Sequence, residues 1–300
     1  MWLLLAFLSA AMLGLYDVAK KRAVTANAVL PVLLLTTLFS TLIFAPMILS
    51  AEFGLGWFDG SIFESHSADL RAHLMVFAKA CIVLISWVLG YFAIKHLPLT
   101  TAGPINATRP VMTLVGAMLI FGERLNAWQW GGVALSVFSL FLLSRSSKRE
   151  GINFATNIWI FMLVGAALAG CVSGLYDKYI MRTLEPIFVQ GWYNIYQLIL
   201  MSIVVGLIWL PQRAKSTPFH WSWAIPLISI FLSAADLAYF YALENQEAMI
   251  SVVSMVRRSS VIVSFVCGAM IFGEKNLKSK AIDLLFILIG MILLYIGTRS

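Results

Sequence analysis

Arg257 and Arg258 stand side by side in SVVSMVRRSSVIVSFVCGAMIFGEK (251–275), a run otherwise apolar enough for the interior of a bilayer. Arg109 and Lys79 have similarly apolar surroundings, and Asp236 is the one acid in PLISIFLSAADLAYFYAL (226–243). An arginine at the bilayer centre costs about 2.5–3.5 kcal/mol on insertion scales, so three oppose insertion by roughly 7–10 kcal/mol. Groups kept at that cost face a partner or a watery cavity. A guanidinium offers forked donors that fit a carboxylate or a phosphate, which makes Arg109, Arg257 and Arg258 candidates for holding an anion. The competing expectation is that they pair with Asp236 or Glu247 and brace the protein. Asp236 is then either an arginine's partner or a protonatable coupling group. Lys79 is either a site residue or a snorkelling side chain.

The elements that must position these groups follow from composition. The chain is 61% hydrophobic and only 12% charged over 300 residues, against about 25% charged in a typical soluble domain. Apolar runs near the length that spans a bilayer as helix occur at roughly 2–19, 28–49, 74–94, 101–121, 127–143, 156–177, 187–210, 221–243, 248–272 and 281–297. They are too long and continuous for the alternating strands of a membrane barrel. The fold expected is an all-α polytopic membrane protein of ten transmembrane helices. The net charge of +7 would suit nucleic acid, but the basic residues fill the gaps between runs and read as a topology signal instead. Cys81, Cys171 and Cys267 are scattered, so neither a disulfide framework nor a metal site is expected, and no cofactor.

The chain also repeats itself. GLYDVAKKRAV (14–24) returns as GLYDKYIMRTL (174–184), YFAI (91–94) as YFYAL (239–243), and GAMLIFGERLN (116–126) as GAMIFGEKNLK (268–278). The order and spacing divide the chain into two five-helix repeats, 1–150 and 151–300, in one membrane domain. An odd number of spans per copy turns the second copy upside down, and inverted repeats of this kind place a binding site near the midplane between them. Arg109 and Arg257 lie roughly 12–14 Å into equivalent helices that enter from opposite faces, so they are expected to converge. Trp87, Tyr91, Tyr239 and Asn194 fall at similar depths and complete the candidate binding set. WYNIYQ (192–197) is unusually polar for a span. Its Asn194 and Gln197 either face a cavity or bond to neighbouring helices.

Two halves that each end the fourth span in FGE and continue with a fifth apolar run resemble the EamA-like branch of the drug/metabolite transporter superfamily. Phe121 to Leu125 and Phe272 to Lys275 carry that pattern. The resemblance implies a secondary transporter that moves small metabolites by alternating access in a bacterial inner membrane. Triose-phosphate translocators in the superfamily look similar in placing one basic residue on the fourth helix and a basic pair on the ninth to hold phosphate, as Arg109 and Arg257–Arg258 would. Glu123 and Glu274 of the FGE motifs are expected to be structural or gating groups at the water interface.

The duplicated LYD places Tyr16, Asp17, Tyr176 and Asp177 near the ends of equivalent helices. Two helix-borne aspartates suggest an intramembrane protease, but a dyad must share a proton. Asp17 and Asp177 are expected on opposite faces, so an enzyme is not. They fit better as gate elements, with Asp17 pairing Lys20 or Lys21 and Asp177 beside Lys178. One set of gaps holds twelve basic residues (Lys20, Lys21, Arg22, Lys95, Arg145, Lys148, Arg149, Arg213, Lys215, Lys275, Lys278, Lys280) and the other five (Arg71, Arg124, Lys178, Arg182, Arg299). That imbalance predicts both termini outside, whereas the family resemblance implies both inside. The expected partners are the bilayer and a small anionic or zwitterionic metabolite, with proton or counter-substrate coupling open. The alternatives are an exporter of amino acids or amphiphilic drugs with structural arginines, and a non-transporting scaffold.

Overall fold

A computed structural model of the chain describes residues 2–109, 111–112, 126–148, 153–154, 156–181, 183–244, 253, 256–257, 259–271 and 277–299. Among them there is no strand. The first half contains α1 (Trp2–Val24), α2 (Val29–Glu52), α3 (Leu70–His96), α4 (Leu99–Ala107) and α5 (Ala127–Lys148). The second contains α6 (Ile158–Ile180), α7 (Pro186–Gln212), α8 (Ala224–Glu244), α9 (Ser260–Ile271) and α10 (Leu277–Arg299). Six of these, α1, α2, α3, α6, α7 and α8, are long and apolar enough to cross a membrane. Arg258, Glu123 and Glu274, together with Glu247, lie outside the described residues.

Local chemistry sets the helix ends. The Asp69 carboxylate accepts from the Ala72 N–H (3.0 Å) and the Asn157 side chain from the Trp159 N–H (2.9 Å), each satisfying a first-turn donor. Pro186 occupies the first turn of α7, where its missing N–H costs nothing. Pro104 lies inside α4, where it removes a helical hydrogen bond, and regular helix stops at Ala107 with Thr108 in a turn. Arg109 follows that interruption directly.

The outer surface is apolar, unlike that of a soluble protein, and the apolar core also holds polar side chains. Leu4, Leu207, Trp223 and Met270 are among the most exposed residues, while Ser9, Thr36, Thr37, Gln190 and Gln197 are buried. Polar groups lie among the helices and apolar ones coat the outside, as lipid requires. Trp128, Trp221 and Trp223 are exposed, as an interfacial belt needs.

Each helix finds its main partner in the other half. α1 packs along α8 and α3 along α6; α2 packs on α7, α4 on α9 and α5 on α10. Exchanging the halves, α1 for α6 and so on, maps this contact set onto itself. The hydroxyl of Ser9 on α1 donates to the Ala235 carbonyl on α8 (2.6 Å), and that of Ser86 on α3 to the Ala166 carbonyl on α6 (2.8 Å). The two exchange-related helix pairs thus use the same device. Close approach is needed where α1 meets α9: a Cβ on Gly14 would lie 2.5 Å from the Val263 Cβ.

One expected helix end is corrected, and with it the place of two lysines. α1 runs to Val24, beyond the expected end at 19, so Lys20 lies within the helix and is buried. Lys21 donates to the Ile94 and Leu97 carbonyls (2.8 and 2.7 Å), covering acceptors left free where α3 ends. Both belong to the protein interior rather than to a topology-setting gap. Without them the same face remains the more basic.

The segment between α2 and α3 is fastened to the second half. His66 donates its backbone N–H to Glu185 Oε2 (3.0 Å), and its Nδ1 lies 2.9 Å from Glu185 Oε1. The hydrogen bond to Glu185, with the charge of that carboxylate, raises the His66 pKa above the ordinary imidazole value. Stability from this clasp is therefore fully present below about pH 6.5 and lost as pH rises through the raised value. The melting-temperature gap between wild type and His66→Gln is expected to be open at pH 5 and to close in alkali. A gap that widens with pH would contradict the assignment.

Candidate functional site

Four cationic groups occupy the interior between the halves. Lys20 forms an ion pair with Asp17 at 2.8 Å, and the Ser264 hydroxyl on α9 donates to the other carboxylate oxygen of Asp17 at 3.2 Å. The Lys20 ammonium also lies over the rings of Tyr16 (4.3 Å) and Tyr91 (5.3 Å), whose hydroxyls are 3.5 Å apart. Aromatic faces attract a cation and partly replace its lost water.

Lys79 on α3 pairs with Asp177 on α6. The pair is almost sealed, with the side chains 5% and 10% exposed. The Lys79 ammonium lies 5.2 Å from the Tyr193 ring and 5.3 Å from that of Phe240. Lys79 does not snorkel, and Asp177 finds its cation on another helix rather than at its own helix end. Tyr176 donates to the Met75 carbonyl (3.1 Å), tying the same two helices.

Arg257 donates from Nη2 to Asp236 on α8, and its Cζ lies 4.2 Å over the Tyr239 ring. Asp236 is thus an arginine's partner. Arg257 is helical and lies two residues before a turn at Ser259. Both site arginines therefore lie beside helix interruptions, which are common where transporters bind their cargo.

Arg109 differs from the other three. Among the described residues no carboxylate lies within ion-pair distance of it, and its sealed Nε, like that of Arg257, has no hydrogen-bond partner. Its guanidinium lies flat against Gly170 on α6, where a Cβ would be 2.7 Å from Nη1 and 2.9 Å from Cζ. The adjacent Cys171 thiol donates to the Arg109 carbonyl at 3.3 Å, fixing the backbone. The charges of Asp17 and Arg257 both act on Arg109. Three cations are balanced by three carboxylates; Arg109 is the fourth cation. Among the described residues it is the one of these four cations with no carboxylate in ion-pair distance; a further carboxylate, Asp283, is buried on α10.

Aromatic side chains line the rest. Trp87 lies between Tyr91 and Tyr193, with ring centroids 6.3 and 6.2 Å away. Asn194 is buried one residue further on α7. The candidates Tyr16, Lys20, Lys79, Trp87, Tyr91, Arg109, Asp236, Tyr239 and Arg257 are thus linked by contact or charge. Tyr193, an aromatic that the sequence places at the same depth, joins them, as do Phe240 and Gly170, which were not among the residues expected from sequence. Asp17 and Asp177 each hold their own lysine, so they share no proton and form no catalytic dyad. Among the described residues no cluster of His, Cys, Asp and Glu could hold a metal.

A family model described as the EamA-like transporter family matches residues 1–145 and again 157–296. A solved structure, described only as the crystal structure of a protein, aligns over 99% of this chain and 98% of its own, with a TM-score of 0.65 and 15% identity. At that identity the likeness concerns the fold. No curated protein matches significantly.

Proposed function

The chain belongs to the EamA-like transporter family, and from that premise we propose that this membrane transporter moves a small organic anion, or a zwitterion held by its acidic end. The unpaired cation at Arg109 carries the proposal. A half-buried guanidinium with a sealed, unpartnered Nε is costly in an empty protein, and a bound carboxylate or phosphate repays that cost. Arg257, already half-occupied by Asp236, forms the second jaw, and Arg258 belongs to the same jaw by sequence. A substrate acid that reaches Arg257 displaces Asp236, so binding is linked to the freeing of a carboxylate that can accept a proton. The rings of Trp87, Tyr91, Tyr193 and Tyr239 exclude water and strengthen every charge contact made there.

The transport step in this proposal is alternating access. Ten spans in two inverted repeats, in a bacterial inner membrane, rock about Arg109 and Arg257. The self-mapping contact set supports it, because exchanging the two halves' roles produces a state open to the opposite side. Glu123 and Glu274 serve as gate or folding elements at the interface.

The density of aromatic rings favours a second reading, export of amino acids or amphiphilic drugs with structural arginines. A stability screen of purified protein in nanodiscs separates the two. Small carboxylates and organic phosphates are expected to raise the melting temperature while neutral aromatics do not. Stabilisation by neutral aromatics alone would favour the second reading, and no shift with either class would favour an inert scaffold.

A further inference from the structure

α7 buries an amide stripe that the anion site does not use. Gln190, Asn194 and Gln197 follow the i, i+4, i+7 spacing of one helix face and are 2%, 2% and 0% exposed. Gln190 Oε1, Asn194 Nδ2 and both amide atoms of Gln197 have no hydrogen-bond partner among the described residues. Two serine hydroxyls on facing helices share this condition, Ser40 on α2 and Ser233 on α8. The Thr41 hydroxyl on α2 donates to the Asn194 carbonyl at 3.1 Å, and the Ser229 hydroxyl on α8 to the Thr36 carbonyl at 2.9 Å. Ser40 and Ser233 lie one turn from Thr36 and Ser229 respectively. All five side chains therefore line one seam between α2, α7 and α8.

Buried amides normally find partners, and leaving several unpaired is a cost a purely structural seam would avoid. Nothing in the set is charged at neutral pH, and it offers donors and acceptors together. That chemistry suits a neutral group bearing hydroxyls or an amide. A bare cation would leave the N–H donors unpaired, and an anion would oppose the carbonyl oxygens. Tyr193, on the same buried face, lies beside Lys79 and Trp87, so the stripe adjoins the charged interior.

We infer that this seam is a second subsite, closed in this conformation, which opens during transport and takes the neutral hydroxyl- or amide-bearing part of the cargo. The inference rests on the anion reading for the cargo's other end. It implies that the full chain becomes water-accessible at Ser40 and Ser233, although both are buried here.

Ser40→Cys and Ser233→Cys test it, each in full-length protein with Cys81, Cys171 and Cys267 replaced by serine and reconstituted in liposomes. A membrane-impermeant maleimide is added with no acid, with gluconate or with hexanoate. Gluconate and hexanoate share charge and chain length and differ in hydroxyls. Lys215→Cys, in an exposed loop, and Ile199→Cys, on the outer face of α7, set the fast and slow limits. Both serine positions are expected to label well above Ile199→Cys. Gluconate slows the labelling and hexanoate does not. Adding Gln197→Met raises the gluconate needed for half protection by about tenfold, the worth of one buried hydrogen bond. Labelling no faster than at Ile199→Cys at both positions would overturn the opening. Labelling that neither acid slows would mean a wet seam without a binding role, and equal protection by both acids would make it a plain anion site; either overturns the subsite. The anion reading fails on a different measurement, the stability screen above.

Discussion

Arg109→Ala is expected to abolish substrate-specific flux in proteoliposomes while making the protein more resistant to heat. The two effects have opposite signs for one reason. Removing the guanidinium deletes a half-buried cation that no carboxylate pairs among the described residues, so about 1–3 kcal/mol of folding stability is gained. The same deletion removes a charge-assisted fork to the substrate acid, a loss of about 2–5 kcal/mol and hence roughly 30- to several-thousand-fold in affinity. A bracing arginine predicts the reverse in stability, since its loss would leave partners unsatisfied. Retained flux, or a lowered melting temperature with retained flux, would sink the clamp. Arg109→Lys gives an intermediate test, because an ammonium keeps the charge but loses the planar fork that lies against Gly170.

Breaking the Lys79–Asp177 pair is expected to be the largest single loss of stability. Its two side chains are 5% and 10% exposed, so removing either leaves its partner charged in a dry interior, at about 3–5 kcal/mol. Lys79→Met and Asp177→Leu should each lower the melting temperature sharply and reduce the folded yield in detergent. The double variant should recover most of the loss, because two well-packed apolar side chains often equal or exceed a buried ion pair. Additive losses in the double variant would show that the two residues act separately.

How much of this was legible in the sequence depended on the kind of contact. Arg109 and Arg257 stood out because a charge in an apolar run is costly wherever the run ends up. The internal repeat was visible because motifs return in order, and it anticipated the exchange relation among helix contacts. Asp17 and Lys20 lie one turn apart, so their pairing followed from helical spacing. Lys79 and Asp177 are 98 residues apart, and nothing local in either helix announces the other. The burial of Lys20 was missed because a lysine at the end of an apolar run looks interfacial. Only the continuation of α1 to Val24 and the neighbouring rings of Tyr16 and Tyr91 draw it inside. Gly170 was missed because a glycine among small residues in an apolar helix carries no signal of the group that will rest on it. The polarity of WYNIYQ was legible, but the absence of partners for its amides depends on α2 and α8.

Every principal contact of α1 to α5 is made with α6 to α10. Neither five-helix segment therefore possesses a core of its own, and the link between residues 149 and 157 joins no helix to its main neighbour. Two separately translated fragments would present the same complementary surfaces, and the covalent link serves chiefly to keep them at high local concentration.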